Sequence, residues 1–398
     1  MSNNCVDNNL PCSGCGACAV RCPASALSVK LSPYGFYEAV INRDKCVSCG
    51  LCLAVCPKFK KNYPAKPQKL NALPVFYAWA NNDEARVKSA SGAIAAELAL
   101  WGINNGYKIA GVIYNPSNGQ AKTVIADSKE GLEAFKGSKY LQSFTVDAFK
   151  EIVKSKHNFM VFATPCQAAG LRFLAKAANF EERIIIVDLF CHGVPSYKLW
   201  DIAKKEAEQK YLKAPVLQAD FRDKKYGWPE YVLKLSDGFK SVWLTYGQTP
   251  FYRLFLSGAA HCESCLSCYA RTSFDFSDIR IGDACGYKGE AADKGVSSVI
   301  FISEKGLKIK KALDEGGRIF FTKAPHEPVL KKINHFKEGY INEALRDKTM
   351  ALLLKGDGGA ELLGCYYSFM PFGKRIICRV KDALPLSLKK AVKRLVLK

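Results

Sequence analysis

The sequence predicts an α/β protein, α+β overall, with a small cysteine-rich domain, a larger α/β domain and a basic C-terminal helix. Three observations support this fold class: cysteines repeat within the first 59 residues, strand-like and helix-like patterns alternate from about residue 75, and basic residues crowd the C-terminal segment. We place the boundaries at 1–59 for the first domain, 60–74 for a linker, 75–355 for the α/β domain and 356–398 for a basic amphipathic tail. The prolines and lysines that precede Val75 indicate an extended linker.

The composition narrows the class of protein. The chain has 398 residues, of which 48% are hydrophobic and 24% charged, as in an ordered globular protein. It has no run of about 20 apolar residues that would cross a bilayer and no secretory signal at its N-terminus, so we expect a cytoplasmic protein. In a reducing compartment, 17 cysteines indicate metal or redox chemistry and not a disulfide framework.

Eight of the first cysteines form two copies of one pattern, C-x2-C-x2-C-x3-C-P. Three cysteines two residues apart wrap one face of a cubane, and the fourth reaches the opposite cluster. The predicted pairing is therefore crossed, with one [4Fe-4S] cluster on Cys12, Cys15, Cys18 and Cys56 and the other on Cys46, Cys49, Cys52 and Cys22. A zinc ribbon, the alternative, needs four cysteines per metal and has no use for the third spacing or the trailing proline. The pattern resembles the bacterial two-cluster ferredoxin fold over residues 1–59, with Cys5 outside it as a plain thiol.

Two further cysteines follow predicted strands in the α/β domain. One strand ends at Ala163, before a tight TPCQ corner and a helix, and another ends at Cys191. Cys166 and Cys191 therefore lie at the sheet edge where ligands bind in open α/β proteins. Either cysteine alone is more often a small buried apolar residue, but together they favour a site.

A later cysteine triple, Cys262, Cys265 and Cys268, has the ferredoxin spacing without the fourth Cys-Pro. A third metal site here must take a ligand from elsewhere in the fold. Zinc remains an alternative, because four thiolates serve it equally well.

Several segments occur in an order that resembles the coenzyme F-420 hydrogenase/dehydrogenase beta-subunit family. These segments are SASGA near residue 91, GSKYLQS at 137–143, ATPCQAAGLRFL at 163–174, VDLFCHGVPS at 187–196, FRDKKYGW at 221–228, CLSC with SDIRIGD at 265–283, and KGVSSVIF at 294–301. The resemblance covers roughly residues 75–335, and a ferredoxin module precedes this domain in many members. It implies an oxidoreductase that couples iron-sulfur clusters to FAD.

The resemblance also implies site residues. For the third cluster it suggests Cys166, Cys191, Cys265 and Cys268, which leaves Cys262 and Cys285 surplus unless one of them replaces a ligand. For the flavin it suggests Ser91, Gly92, Ser138, Lys139, Thr164, Gln167, Lys294 and Ser297.

The chemistry of the flavin residues agrees with that role. Free amides at the helix start after Ser91 suit a diphosphate, and Lys139 offers a cation. Thr164 and Gln167 offer polar contacts to a ring edge. Alone, the SASGA segment is more often an ordinary helix cap and the GSKY segment more often an ordinary loop. Family members commonly have SGG at the helix start, from which Ala93 departs.

Three polar residues near these segments have either a functional or a structural role. His192 is our candidate catalytic residue, as a proton donor near the flavin, although it equally suits a hydrogen bond to a strand-end carbonyl. Asp278 and Asp283 either orient the site or end a strand.

The C-terminal segment is strongly basic. Nine Lys or Arg and one acidic residue lie between Lys374 and Lys398, in a chain whose formal net charge is +21. Beyond Pro385, Leu388, Ala391, Val392, Leu395 and Val396 share one helical face, with basic residues on the other. The pattern predicts either peripheral contact with an anionic membrane or a terminal helix packed on the body. Nothing in the sequence resembles a nucleic-acid-binding module.

The function that these patterns favour is an oxidoreductase that transfers electrons between a carrier such as ferredoxin, or reduced deazaflavin, and a small organic substrate through [4Fe-4S] clusters and FAD. Bacterial relatives with the FRDKKYGW-like segment suggest exopolysaccharide synthesis. One alternative is a non-catalytic electron-transfer subunit of a larger redox complex. Another is a basic scaffold with structural clusters that binds a polyanion.

Overall fold

The computed structural model describes residues 3–59, 62–64, 68–228, 230–284, 286–333 and 341–383. Among the described helices, none combines the length and hydrophobicity needed to cross a membrane. The helices are α1 (Ala17–Arg21), α2 (Leu51–Ala54), α3 (Asp83–Val87), α4 (Ile94–Asn104), α5 (Val146–Lys154), α6 (Pro165–Ala177), α7 (Tyr197–Tyr211), α8 (Pro250–Leu256), α9 (Tyr269–Thr272), α10 (Glu304–Glu315), α11 (His326–Ile333), α12 (Glu343–Lys355), α13 (Gly359–Ser368) and α14 (Phe372–Ala383). The strands are β1 (Leu27–Leu31), β2 (Tyr37–Ile41), β3 (Val75–Ala80), β4 (Tyr107–Asn115), β5 (Gln120–Ala126), β6 (Ser143–Phe144), β7 (Asn158–Ala163), β8 (Ile184–Leu189), β9 (Gln218–Asp220), β10 (Val232–Ser236), β11 (Ser241–Thr245), β12 (Ile279–Asp283), β13 (Ser297–Phe301) and β14 (Ile319–Lys323).

The first domain repeats one local geometry, as the duplicated sequence predicts. Strands β1 and β2 pair in an antiparallel hairpin, with Leu27 opposite Ile41. Gly16 and Gly50 precede α1 and α2 with φ of +83° and +73°, the left-handed backbone that glycine adopts without a steric penalty. Each short helix therefore carries the third cysteine of its run and ends just before the fourth.

A mixed nine-stranded sheet forms the centre of the α/β domain, and the predicted fold class is confirmed. Its strand order is β14-β3-β13-β12-β8-β7-β4-β5-β6. The neighbours β12, β8, β7 and β4 run parallel, and antiparallel pairs flank them. Because parallel strands end at the same edge, the residues after β7 and β8 and the end of β12 lie together. A separate sheet of β9, β10 and β11 contains a hairpin with Asp237 and Gly238 in its turn.

The first domain packs directly on the sheet domain. The Gln142 side chain donates to the carbonyl oxygens of Ser13 and Tyr37 and accepts from the Tyr37 amide, at 2.9, 3.1 and 2.6 Å. The Thr145 hydroxyl donates to the Cys15 carbonyl at 2.8 Å. Polar side chains of one domain thus satisfy backbone groups of the cysteine loop in the other.

The segment that connects the domains is more ordered than its composition indicates. We expect an extended linker, but residues Leu70–Ala72 form a 3-10 turn. Leu70 and Leu73 are both buried and pack in a cluster with Ile300 and Val329. Burial of two leucines against the body stabilises this local turn, which the prolines and lysines around it do not predict.

Candidate iron-sulfur and cofactor sites

The first four predicted cysteines line one cavity. Cys12, Cys15, Cys18 and Cys56 surround a space of about 370 Å³ beside Lys58. Burial raises the pKa of Cys15 to about 12, and the neighbouring Cys56 adds to this effect. Four thiols in one dry site favour a ligand that takes them as thiolates and spreads their charge, as a cubane does.

The other four cysteines of the duplicated pattern line a second cavity. Cys22, Cys46, Cys49 and Cys52 surround a space of about 340 Å³. The structure therefore brings the eight cysteines together in the crossed arrangement that the spacing predicts. Of these eight, Cys49 is exposed to solvent.

Cys5 lines the first cavity with Cys12, Cys15, Cys18 and Cys56, although the repeat does not include it. Its backbone amide is 3.3 Å from the Cys52 sulfur. Hydrogen bonds to Cys18 and Cys52 raise the pKa of the Cys5 thiol. No spacing rule marks this position, because its contacts join two separate cysteine runs.

The four cysteines predicted for a third cluster influence one another electrostatically. Cys166 is in the first turn of α6. Burial raises its pKa, and the neighbouring Cys268 and, more weakly, Cys191 raise it further. The hydrogen bond that Cys265 donates to Cys262 raises the pKa of Cys265, and burial, Cys191 and Cys268 make smaller contributions in the same direction. These four predicted ligands therefore form one electrostatically connected group.

Cys262 is the fifth thiol at this place. Its sulfur lies 3.6 Å from the Cys12 carbonyl oxygen and 3.2 Å from the Ser264 hydroxyl, and the hydrogen bond with Cys265 lowers its pKa. Cys285 lies outside the described residues.

Within the described ranges, no three His, Cys, Asp or Glu side chains converge closely enough to hold a metal ion. Thiolates around a four-iron core stand farther apart than ligands around one ion.

A buried ion pair holds the loop of the third site against the sheet. Arg280 and Asp188, on neighbouring strands, form a two-pronged pair at 2% and 1% exposure. Arg280 also donates to the carbonyl oxygens of Arg271 and Ser273 at 2.9 and 2.8 Å. Arg271 in turn donates to the Cys265 carbonyl at 2.8 Å and lowers the pKa of Cys191 against the effect of burial.

The third cysteine group adjoins the first cavity. Gly170 lies one turn after Cys166 on α6, and a Cβ placed on it would lie 3.0 Å from the Cys15 sulfur. Tyr63 packs edge-on against Phe276 with 4.8 Å between ring centroids, and its pKa is raised by burial and, to a smaller extent, by Cys268, Cys166 and Cys15. Small and aromatic side chains thus fill the space between the two cysteine groups.

Lys224 connects two segments of the predicted flavin site. Its ammonium group donates to the carbonyl oxygens of Arg86, Ser91 and Lys294, at 2.5, 2.7 and 2.7 Å. Nearby, the Gly92 amide donates to the Ser297 hydroxyl at 3.1 Å. Four of the residues predicted for the flavin, Ser91, Gly92, Lys294 and Ser297, therefore lie close together. The Lys294 side chain turns away to pair with Asp83. Sequence reasoning did not select Lys224, although it lies in the quoted FRDKKYGW segment.

Arg222 connects further segments of the same region. It donates to the Tyr140 hydroxyl at 3.1 Å and to Asp283, the last residue of β12, at 2.6 Å. Burial raises the pKa of Tyr140. The charge of Arg222 and, to a smaller extent, a hydrogen bond from Ser138 lower it. Asp278 instead accepts from the Ile186 amide at 2.8 Å and so fastens the start of β12 to β8.

The TPCQ corner is closed on itself. Thr164 and Gln167 form a reciprocal helix cap, and the Gln167 amide also donates to the Ser143 hydroxyl at 3.0 Å. Gln167 is buried, so its side chain joins TPCQ to the GSKYLQS segment. The Thr164 hydroxyl lies 3.4 Å from the Cys166 sulfur, on the side of the third cysteine group.

Cations of this region fit an anionic ligand. Burial lowers the pKa of both Lys139 and Lys224 to about 8, because a desolvated ammonium favours its neutral form. Lys139 donates to the carbonyl oxygens of Ala134 and Lys136, which leaves one ammonium hydrogen for a phosphate, whereas all three hydrogens of Lys224 are taken. The phosphates of FAD would raise the pKa of both groups again, so the charges of the region suit FAD. Ala93, at the N-cap of α4, has φ of +66°, a left-handed conformation that glycine adopts without a steric penalty.

His192 is half-buried, next to His261. Burial lowers the pKa of His261 to about 3, and the charges of Arg271 and His192 lower it further. His192 directly follows Cys191 in the chain, so it lies at the third cysteine group.

Comparisons with family models and with solved structures relate these sites to known proteins. The fold and the paired cysteine sites define a two-cluster iron-sulfur protein with an appended α/β domain. Residues 11–59 match the family model of the 4Fe-4S dicluster domain, and residues 156–327 match the model of the C terminus of the coenzyme F420 hydrogenase/dehydrogenase beta subunit. The chain thus joins a 4Fe-4S dicluster domain to the C-terminal domain of the coenzyme F420 hydrogenase/dehydrogenase beta-subunit family, which confirms the resemblance. It is an iron-sulfur protein that functions in electron transfer.

The solved structures include a similar chain in the F420-reducing [NiFe] hydrogenase complex from Methanosarcina barkeri, studied by xenon derivatization. The TM-score is 0.51 at 16% identity, over 70% of this chain and 92% of that one. At this identity the likeness concerns the fold. No curated protein matches the chain.

Proposed function

We propose that the chain is an iron-sulfur flavoprotein oxidoreductase that passes electrons between a carrier, such as ferredoxin or reduced deazaflavin, and a small organic substrate. Two [4Fe-4S] clusters in the first domain, a third on Cys166, Cys191, Cys265 and Cys268, and FAD would take part. Bound FAD would supply the exchange between one-electron and hydride transfer. An exopolysaccharide precursor is the proposed substrate class, since the chain carries the FRDKKYGW segment.

The observation that carries this proposal is the contact between the first cavity and α6. A Cβ on Gly170 would lie 3.0 Å from the Cys15 sulfur, and Cys15 contributes, as a smaller cause after burial, to the raised pKa of Cys166. Thiol groups of the two domains thus lie near each other. Such proximity suits transfer of electrons from one domain to the other.

The residues proposed for FAD would bind and orient it. Lys139 would donate its remaining ammonium hydrogen to the diphosphate, Lys224 would add its positive charge nearby, and the amides at the start of α4 would add hydrogen-bond donors. Arg222 and Asp283 support the Tyr140 hydroxyl, which fixes the GSKY loop. His192 is the proposed proton donor.

The test is anaerobic purification with iron, sulfide and flavin measured on one sample. We expect about twelve iron and one FAD per chain, with flavin reduced when a ferredoxin donor is added. Cys166→Ser should lower iron to about eight and slow flavin reduction, whereas Cys378→Ser, in α14, should change neither.

A different result would favour a non-catalytic electron-transfer subunit. About eight iron and no flavin, even after incubation with FAD, would overturn the flavoenzyme proposal.

A further inference from the structure

The C-terminal helix α14 meets the body of the protein through its polar side. Arg375 donates to the carbonyl oxygens of Ser368 and Met370, at 3.3 and 3.2 Å. Asp382 pairs with Arg253 of α8 and accepts from the Tyr367 hydroxyl. These contacts lie on one face of the helix, since residues 375 and 382 are seven positions apart. The helix is therefore held at a defined orientation.

The opposite side of α14 is apolar and faces solvent. Phe372, Ile376, Ile377 and Val380 recur at spacings that place them on one helical face. Their exposed fractions are 73%, 48%, 55% and 54%. A soluble surface helix normally buries its apolar side and exposes its polar side, but α14 does the reverse. Four large apolar side chains in one patch indicate a surface that another phase or molecule covers.

Basic residues border this apolar face. Lys374 and Arg379 are exposed beside it, and Arg379 lies over the Tyr367 ring at 5.2 Å. The sequence continues with five Lys or Arg and no acidic residue from 384 to 398. A protein partner of this apolar face would need carboxylates at its rim, whereas an anionic bilayer offers both the apolar layer and the negative charge at once.

We propose that α14 lies on an anionic membrane surface, with Phe372, Ile376, Ile377 and Val380 inserted among the acyl chains and Lys374 and Arg379 at the lipid headgroups. The contact is independent of the proposed redox function, because α14 contains no residue proposed to bind a cluster or FAD. It is peripheral, since a helix of 12 residues is too short to span a bilayer.

The test is co-sedimentation of the full, cluster-loaded chain with vesicles of phosphatidylcholine, with or without phosphatidylglycerol. We expect binding to the phosphatidylglycerol vesicles, weakened by salt, and about tenfold weaker binding for the double variant Ile376→Ser, Ile377→Ser. The matched control is Phe239→Ser, at the tip of the β10–β11 hairpin, whose side chain is 84% exposed and which should bind as the parent does.

A second measurement separates α14 from the basic residues that follow it. In Ile376→Trp, quenching by brominated lipid should exceed that of the parent chain, because the new indole enters the acyl region.

Three outcomes would overturn the proposal. One is equal binding by the double variant, and another is equal binding to vesicles without phosphatidylglycerol. The third is dimerisation through this face, seen as a doubled mass in light scattering that the double variant abolishes.

Discussion

The Cys15 sulfur lies against the backbone of Gly170. A Cβ placed on Gly170 would lie 3.0 Å from this sulfur and 3.0 Å from the Ala17 methyl group. Helix α6 can therefore approach the first cysteine cavity because residue 170 has no side chain. This contact joins the duplicated cysteine domain to the helix that carries Cys166.

Replacement of Gly170 by leucine should separate the two domains at this point. We expect Gly170→Leu to lower the free energy of unfolding by about 1–3 kcal/mol, since the added side chain overpacks the contact. The control is Gly364→Leu in α13, where a Cβ meets nothing within 4 Å and the better helix propensity should stabilise by up to about 1 kcal/mol. Denaturant unfolding of both anaerobic variants measures the difference, and a loss of equal size in both would contradict the assigned contact.

Lys224 should be structurally important although it is a charged residue near the surface. Lys224→Met removes the donor from three carbonyl oxygens, and we expect a loss of about 1–3 kcal/mol in the free energy of unfolding. Lys311→Met, whose parent side chain is 80% exposed, should change it by less than about 0.5 kcal/mol. Thermal unfolding distinguishes the two, and a stable Lys224→Met would show that the three carbonyl groups find water instead.

The sequence was sufficient to predict the two N-terminal cysteine groups because their ligands repeat at short, fixed spacings. It also predicted the strand ends that carry Cys166 and Cys191, since alternating patterns locate strands within a few residues. The hairpin at Asp237 and the helix after Ser91 follow from equally local signals.

The connections within the candidate flavin site follow from no local pattern. Lys224 contacts Ser91 across 133 residues of sequence, and Arg222 contacts Asp283 across 61. A lysine within a polar segment usually indicates a solvated surface, so only the fold identifies this one as a buried donor. The outward apolar face of α14 is hidden for the same reason, because the pairing of Asp382 with Arg253 determines which side turns inward.

Stability at alkaline pH should reveal the desolvated lysines. The pKa of Lys139 is lowered to about 8, whereas an unfolded lysine keeps its proton up to about pH 10.4. Between these values the unfolded chain binds more protons, so the free energy of unfolding should rise as pH increases from 8 to about 10.4. In Lys139→Gln this rise should be smaller, while Lys136→Gln, an exposed neighbour paired with Glu133, should keep it. Identical pH profiles for Lys139→Gln and the parent would contradict the burial of that ammonium group.

The Arg280–Asp188 pair should control whether the third cysteine group is assembled. Asp188→Asn leaves the Arg280 charge without its buried partner, and we expect a loss of about 3–5 kcal/mol in the free energy of unfolding. The loop with Cys265 and Cys268 should lose its anchor, so iron at the third site should fall as well. The double variant Asp188→Asn, Arg280→Met removes both charges and should recover part of the stability. A double variant as unstable as the single one would show that the hydrogen bonds from Arg280 to the loop matter more than its charge.

The five thiols of the third group can be separated by single substitutions. Cys268 contributes to the raised pKa of both Cys166 and Cys265, whereas Cys262 bonds to Cys265 and lies beside the Cys12 carbonyl. We therefore expect Cys268→Ser to lose about four iron per chain and Cys262→Ser to retain them. Iron and sulfide analysis on anaerobic samples, with the electron paramagnetic resonance signals of the reduced protein, measures this difference. The reverse pattern would make Cys262 the ligand, and loss of zinc in place of iron and sulfide would identify the third site as a zinc site.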